Sequence, residues 1–339
     1  MRLATVAGRV LTAAACLAVI GLAAGTAEAA PPKYDYFVVG DPADAVATPT
    51  GGLALMGGGT DQDAAFQWMN GRSGGGDFLV IRTTGTDAYN QWIYDFGGVN
   101  SAATLVIKNA AATTDPFVIN TIKGAEALFI AGGDQSTYTG MWKGTPVEDA
   151  IQFVIDKGGV IGGTSAGLMV LSEFIYTGEL GAIVSSQALA NPFHRYVTLT
   201  RDFLTVPMMA GKLTEAHLIE RDRMGRHLTF LARLINDGWA SDVKGIALER
   251  ESAFLVLPNG SGSLVGPAGT AAAYFTRTAG QPQVCQNRTP LTYLNIPVYK
   301  VTGSATFNIN TWTGSGGVAY TLSVNNGVLT STQPGGNIY

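Results

Sequence analysis

From Gly52 onward the chain alternates short apolar runs with amphipathic stretches. The apolar runs are Gly52 to Met56, Asp77 to Arg82, Thr104 to Ile107, Ala127 to Ala131 and the run beginning at Val160. Between them, helical spacing appears near Asp63 to Met69 and around Asp87 to Tyr94. Two further helices open on N-cap and first-turn proline pairs, Asp115-Pro116 running toward Lys123 and Thr145-Pro146 running to Lys157 before Gly158. Strands written as unbroken apolar runs are buried on both faces, so the order predicts an α/β fold: a doubly wound, largely parallel sheet flanked by helices. Chemistry in such a sheet belongs at the carboxyl ends of the strands. Farther on, Glu215 to Ile235 reads as a long helix interrupted at Gly225, and Gly245 to Leu248 and Ala253 to Leu257 read as two more strands. From Pro267 the composition turns to Gly, Ser, Thr and Asn with alternating patches such as Thr306-Phe307-Asn308-Ile309. This predicts a β-rich extension over 267–339 packed on a main domain of 31–266. A separate binding module is the lesser alternative.

The first thirty residues change the picture. Arg2 and Arg9 precede an apolar run from Val10 to Ala24, and Ala27-Glu28-Ala29 follows, which is the layout of a secretory signal peptide over 1–30. A secreted or periplasmic protein is expected, with no membrane association once the leader is cleaved. Of the two cysteines, Cys16 lies in that leader and Cys285 stands alone, so no internal disulfide is expected. The net charge of −4 and the absence of a basic cluster argue against nucleic acid as a partner. No cofactor is implied, and no His/Cys spacing suggests a metal. A homodimer is compatible with the sequence.

Candidate chemistry centres on Val160-Ile161-Gly162-Gly163-Thr164-Ser165-Ala166-Gly167, an apolar strand that ends in a serine set between glycines. This is the pattern of a nucleophile elbow, in which a strained strand-to-helix turn lifts the hydroxyl clear of the backbone. The Ala166 amide, and that of Gly133 at the end of the preceding apolar run, are candidates for an oxyanion hole. A second G-x-S-x-G at Gly71 to Gly75 has no strand before it and reads as chance. The chain has three histidines from which to draw a base. His194 sits in a loop-like Asn191-Pro192-Phe193-His194-Arg195, and His227 lies beside Leu228 and Leu231 in a packing position.

Three blocks together resemble the cyanophycinase family of serine exopeptidases: Ala131-Gly132-Gly133-Asp134-Gln135, the elbow, and His217 with Arg221, Arg223 and Arg226. The resemblance implies a class I glutamine-amidotransferase-like fold with serine as nucleophile. It also implies hydrolysis of aspartyl peptide bonds, in that family the linkage of β-Asp-Arg units in an aspartate–arginine polymer; related enzymes are α-aspartyl dipeptidases. It makes His217 the base and Gln135, Arg221, Arg223 and Arg226 substrate-binding residues. On a straight helix Arg221 lies about 40° from His217, while Arg223 and Arg226 point to other faces unless the helix bends or begins later. Arg221 is therefore the candidate for a substrate carboxylate and Glu215 for a substrate cation. Two departures stand out. Glu215-Ala216-His217 replaces the family's Asp-Gln-His, and Arg250 occupies the place of the expected triad acid. Its neighbours Glu249 and Glu251 become the candidates for that role, with Glu173 and Glu179 in reserve. The expected partner is a peptide or an aspartate–arginine polymer. Competing readings are an α/β-hydrolase esterase, against which stands the lack of any histidine after His227, and a catalytically silent binding protein on the same fold.

Overall fold

The computed structural model describes Met1 and residues 32–339; the signal-peptide reading falls on 2–31 and lies outside the described residues. In chain order the first half contains β1 (Tyr34–Gly40), β2 (Gly52–Met56), α1 (Asp63–Arg72), β3 (Asp77–Arg82), α2 (Asn90–Asp95) and β4 (Ser101–Ile107). There follow α3 (Pro116–Gly124), β5 (Ala127–Ile130), α4 (Gln135–Trp142), α5 (Pro146–Asp156), β6 (Val160–Thr164) and the one-turn α6 (Ala166–Met169). The second half holds β7 (Ile175–Tyr176), α7 (Ser185–Ala190), β8 (Leu199–Thr200), β9 (Lys212–Glu215), α8 (Met224–Asn236), β10 (Asp242–Leu248), β11 (Ala253–Val256) and β12 (Ser261–Val265). It closes with β13 (Ala273–Ala279), β14 (Tyr293–Val301), β15 (Thr306–Asn308), β16 (Thr313–Ser315), β17 (Val318–Asn325) and β18 (Val328–Ser331).

Ten strands form one sheet in the order β1-β4-β3-β5-β6-β2-β11-β12-β15-β16. Its centre, β4-β3-β5-β6-β2, is parallel throughout, and the strands outside that centre pair antiparallel. Alternation along each strand sorts the core into two layers. Leu53, Leu55, Leu79, Ile81, Leu128 and Ile130 face α3 and α5. Ala54, Met56, Phe78, Val80 and Phe129 face Phe66 and Met69 of α1 on the other side. Burying both layers explains why these strands carry almost no polar residue, since each large side chain removed from water contributes about 1.5–3 kcal/mol.

The second sheet runs β18-β17-β14-β13-β10-β9 and packs against α7 and α8. Here the structure departs from the predicted helix over Glu215 to Ile235. Lys212–Glu215 is a buried strand parallel to β10, residues 216–223 form turns, and the helix begins only at Met224. Pairing with β10 fixes Glu215 as the end of a strand, and the predicted helix holds from Met224 onward. The β-rich residues after Pro267 enter both sheets: β13 pairs with β10, and β15 pairs with β12. Phe275 of β13 and Phe307 of β15 stack at 3.9 Å, joining the two.

Candidate active site

Strand β6 delivers Ser165 to the carboxyl end of the parallel centre. Its backbone sits at φ 52°, ψ −112°, a strained conformation for a residue with a Cβ. Two glycines make the turn possible by close approach. A Cβ on Gly167 would lie 1.9 Å from the Ile130 carbonyl oxygen, and one on Gly163 would lie 2.5 Å from Gly167. The Ser165 amide is held by the Met56 carbonyl at 3.1 Å, whereas the amides of Gly133 and Ala166 have no protein acceptor among the described residues. Those two N–H groups are available to an oxyanion. By contrast Ser73, in the second G-x-S-x-G, is fully buried at the end of α1, with its hydroxyl donating to the Asn70 carbonyl.

Ser165 Oγ lies 3.0 Å from His217 Nε2, and His217 Nδ1 lies 2.6 Å from Glu220 Oε2. The structure thus puts Glu220, rather than Glu249 or Glu251, on the histidine. Glu249 instead accepts the backbone N–H groups of Ile219 and Glu220, bracing the turn that carries both. Glu251 accepts from Thr60 Oγ1 at 3.2 Å and pairs with Arg250. Of the reserve candidates, Glu173 accepts the Gly211 N–H at 2.6 Å, and neither it nor Glu179 contacts His217. Arg250, which stands where the family resemblance calls for an acid, reaches Glu220 at 3.7 Å. The His-x-x-Glu spacing is in the sequence, but nothing there distinguishes Glu220 from the other acids near the arginines.

Burial, with Arg221 and Arg223 nearby, holds the His217 pKa below the usual histidine value against the upward pull of Glu220. The ring is neutral at pH 7 and ready to accept a proton. Glu220 is held below the usual carboxylate range by its bond from His217 and by Arg221 and Arg250. The other two histidines are elsewhere. His194 accepts the Tyr196 N–H, and fully buried His227 bonds Thr276 Oγ1 at 3.0 Å, its pKa pushed down to about 4 by burial.

Beside Ser165 opens a cleft of about 410 Å³ lined by Gly133, Gln135, Tyr176, Arg221, Arg223 and Arg226 among others. Because α8 begins after His217, all three arginines converge there, which a straight helix forbids. Their duties differ. Arg226 is 2% exposed and is spent on Glu215, at 2.6 and 2.9 Å, and on the Ile183 carbonyl. Arg223 uses only Nη1, on the Ala216 carbonyl and Glu215, leaving its other N–H groups for a ligand. Burial lowers its pKa to about 10, so it remains charged at neutral pH. Half-exposed Arg221 lies 3.8 Å from Glu220. Glu215 does not face a substrate cation. It is wholly buried, and Arg226 and Arg223 outweigh the cost of that burial and keep it ionised. Gln135 donates to the Tyr176 carbonyl at 3.3 Å on the cleft wall. Among the described residues no cluster of His, Cys, Asp or Glu is arranged for a metal, and no helix is long and apolar enough to cross a membrane.

A serine on a strained elbow, bonded to a histidine that is bonded to a glutamate, is the arrangement of a nucleophilic hydrolase. Residues 89–191 match the model of peptidase family S51. The matched segment takes in Gly132 to Gln135 and the elbow, and ends before His217. It supports a serine-type peptidase. Among solved structures, the chain is similar to a peptidase from an acI-B1 Actinobacterium, with TM-score 0.48 and 16% identity over 71% of this chain and 98% of that one. It is also similar to a putative peptidase E protein from Listeria monocytogenes EGD-e, with TM-score 0.40 and 14% identity over 64% of this chain and 99% of that one. No curated protein matches it.

Proposed function

We propose that this protein is an exported serine exopeptidase that hydrolyses aspartyl peptide bonds, foremost β-aspartyl ones. The observation that carries the reading is the Ser165–His217–Glu220 relay, at 3.0 and 2.6 Å, opening on an arginine-lined cleft. Ser165 Oγ bonds to the substrate carbonyl carbon as its proton passes to His217 Nε2, and the Gly133 and Ala166 amides receive the oxyanion. His217 then gives that proton to the leaving amine as the C–N bond breaks. Water, deprotonated by the same nitrogen, releases the acyl group and returns the serine. Glu220 keeps Nδ1 protonated and stabilises the imidazolium between the two transfers. A β-aspartyl unit carries a free α-carboxylate next to the scissile amide, and Arg223 has the unpaired N–H groups to receive it. The match of residues 89–191 to peptidase family S51 supports the peptidase class, and the family resemblance of the sequence supports the aspartyl preference.

Two measurements test the reading. A fluorophosphonate should label the wild-type protein and leave Ser165→Ala unlabelled; a silent binding protein labels in neither form. Mass spectrometry of products from β-aspartyl peptides, α-aspartyl peptides and an aspartate–arginine polymer should show cleavage of the β-aspartyl peptides first. Labelling without cleavage of any of them, but with ester hydrolysis, would replace the peptidase by an esterase.

A further inference from the structure

Buried polar side-chain atoms nearly always find a partner in native proteins. Among the described residues Arg82 Nε is one that does not, and the Asp61 carboxyl near it lies within reach of the Thr164 hydroxyl. Thr164 immediately precedes Ser165. Burial pushes the Asp61 carboxyl up while Tyr89, Thr164 and Arg82 pull it back. Asp61 and Arg82 border a cavity of about 540 Å³, lined as well by Thr60, Asp63, Tyr89 and Trp92. This cavity and the arginine cleft share no lining residue.

We propose that this second cavity receives the leaving half of the substrate, and that Arg82 binds the free α-carboxylate of the residue released. The proposal rests on the peptidase reading above and extends it to the other side of the scissile bond. A leaving amine must take its proton from His217 Nε2, so it departs past that nitrogen. Gly58 borders it so closely that a Cβ there would lie 2.3 Å from Nε2. The chain then runs from Gly58 through Gly59 to Thr60 and Asp61 on the cavity wall. On this proposal the leaving side lies toward Arg82, and the acyl side lies against Gly133, Gln135 and Arg223 of the cleft.

The guanidinium is free to do this. Arg82 makes no salt bridge and no hydrogen bond among the described residues, and it rests over the Tyr89 ring at 5.8 Å. A planar fork with open N–H groups suits a carboxylate, which an amide cannot replace in charge. The two acids of the cavity are already engaged. Tyr89 donates to Asp61 at 2.6 Å, and Trp92 donates to Asp63 at 3.1 Å. Their charge sets the selectivity: one carboxylate is balanced by Arg82, and a second, on an acidic leaving side chain, is repelled. The Tyr89 and Trp92 rings leave an apolar wall for a neutral side chain.

The test compares β-Asp-Leu, its C-terminal carboxamide and β-Asp-Glu as substrates of the wild type, Arg82→Met and Arg82→Lys. Wild type should favour β-Asp-Leu over both others. Arg82→Met should lower kcat/KM for β-Asp-Leu by about tenfold to a hundredfold, chiefly through KM, and leave the carboxamide within about twofold. Arg82→Lys, which keeps the charge and loses the fork, should fall between. Equal losses on acid and amide, or no loss on either, would overturn the assignment. Binding separates this idea from the peptidase reading itself. Leucine and leucinamide are titrated by NMR into Ser165→Ala and into Ser165→Ala with Arg82→Met. If wild type cleaves none of the peptides, the aspartyl-peptidase reading falls. The subsite still stands if leucine binds in preference to leucinamide and Arg82→Met abolishes that preference, and it falls if the two bind alike or not at all.

Discussion

The elbow at Ser165 and the turn at His217 are built alike and specified differently. Each follows a parallel strand, β6 or β9, and each holds its candidate catalytic residue at positive φ, 52° and 51°. The first is written locally: glycines at 163 and 167 are the residues that clear the space the turn needs. No such writing surrounds His217. Its turn is held by distant groups: Glu249 on the Ile219 and Glu220 amides, Glu215 beneath Arg226 and Arg223, and the Tyr339 phenol, which donates to Asp222 at 2.6 Å and accepts the Met224 N–H at 3.2 Å. A nucleophile can be announced by a motif. Its base and the acid behind it depend on what the rest of the chain brings to them.

The sharpest way to break the comparison is to remove one reactive residue from each turn. Ser165→Ala should lower turnover by several powers of ten, His217→Ala by nearly as much, and the double variant no further, because the two act as a unit. A tenth of the activity surviving in Ser165→Ala would end the nucleophile assignment. The next effect separates the two glutamates. Glu220→Gln should reduce kcat/KM by about tenfold to a hundredfold, less than for a fully buried triad acid because Glu220 is one-third exposed. The sign of its pH effect is fixed. The proposed mechanism requires neutral His217, so kcat/KM should fall as pH drops through a midpoint below the ordinary ~6.5. Glu220 raises that pKa, so its loss should move the acid limb to still lower pH. An unmoved limb would take Glu220 off the histidine. Glu249→Ala should act on the fold instead, costing about 1–3 kcal/mol by stranding two backbone donors, visible as a lower Tm.

Smaller effects probe the arginines and their supports. Arg223→Met should lower kcat/KM on β-aspartyl peptides by about tenfold, with less effect on substrates lacking the free carboxylate. Arg221→Met should cost less, since its guanidinium lies mostly in solvent beside Glu220; the reverse ranking would restore Arg221 as the main carboxylate ligand. Smallest of all, Tyr339→Phe should raise KM by about two- to tenfold with kcat unchanged, as its two hydrogen bonds to the turn are lost. An equal fall in kcat would mean that Tyr339 supports the histidine and not the arginines.

Much of this molecule could be read along the chain. The parallel centre followed from unbroken apolar runs, because a strand covered on both faces has no polar positions to spare. The elbow followed from glycines, because only they fit where Gly163 and Gly167 stand. Asp115 and Pro116 opened a helix as expected, with the Asp115 carboxylate accepting the Phe117 N–H at 3.0 Å. Residues 215–223 could not be read this way. Their spacing suits a helix, yet Glu215 ends a strand paired with β10, 216–223 are turns, and the expected helix holds only from Met224. Glu215 then points into the protein to hold Arg226, Glu220 reaches His217, and Glu249 supports the backbone between them. Local sequence sets what each residue does to its own backbone over a few positions. Which carboxylate faces which cation is decided by long-range pairing, since the alternatives differ by only a few kcal/mol and lie tens of residues apart.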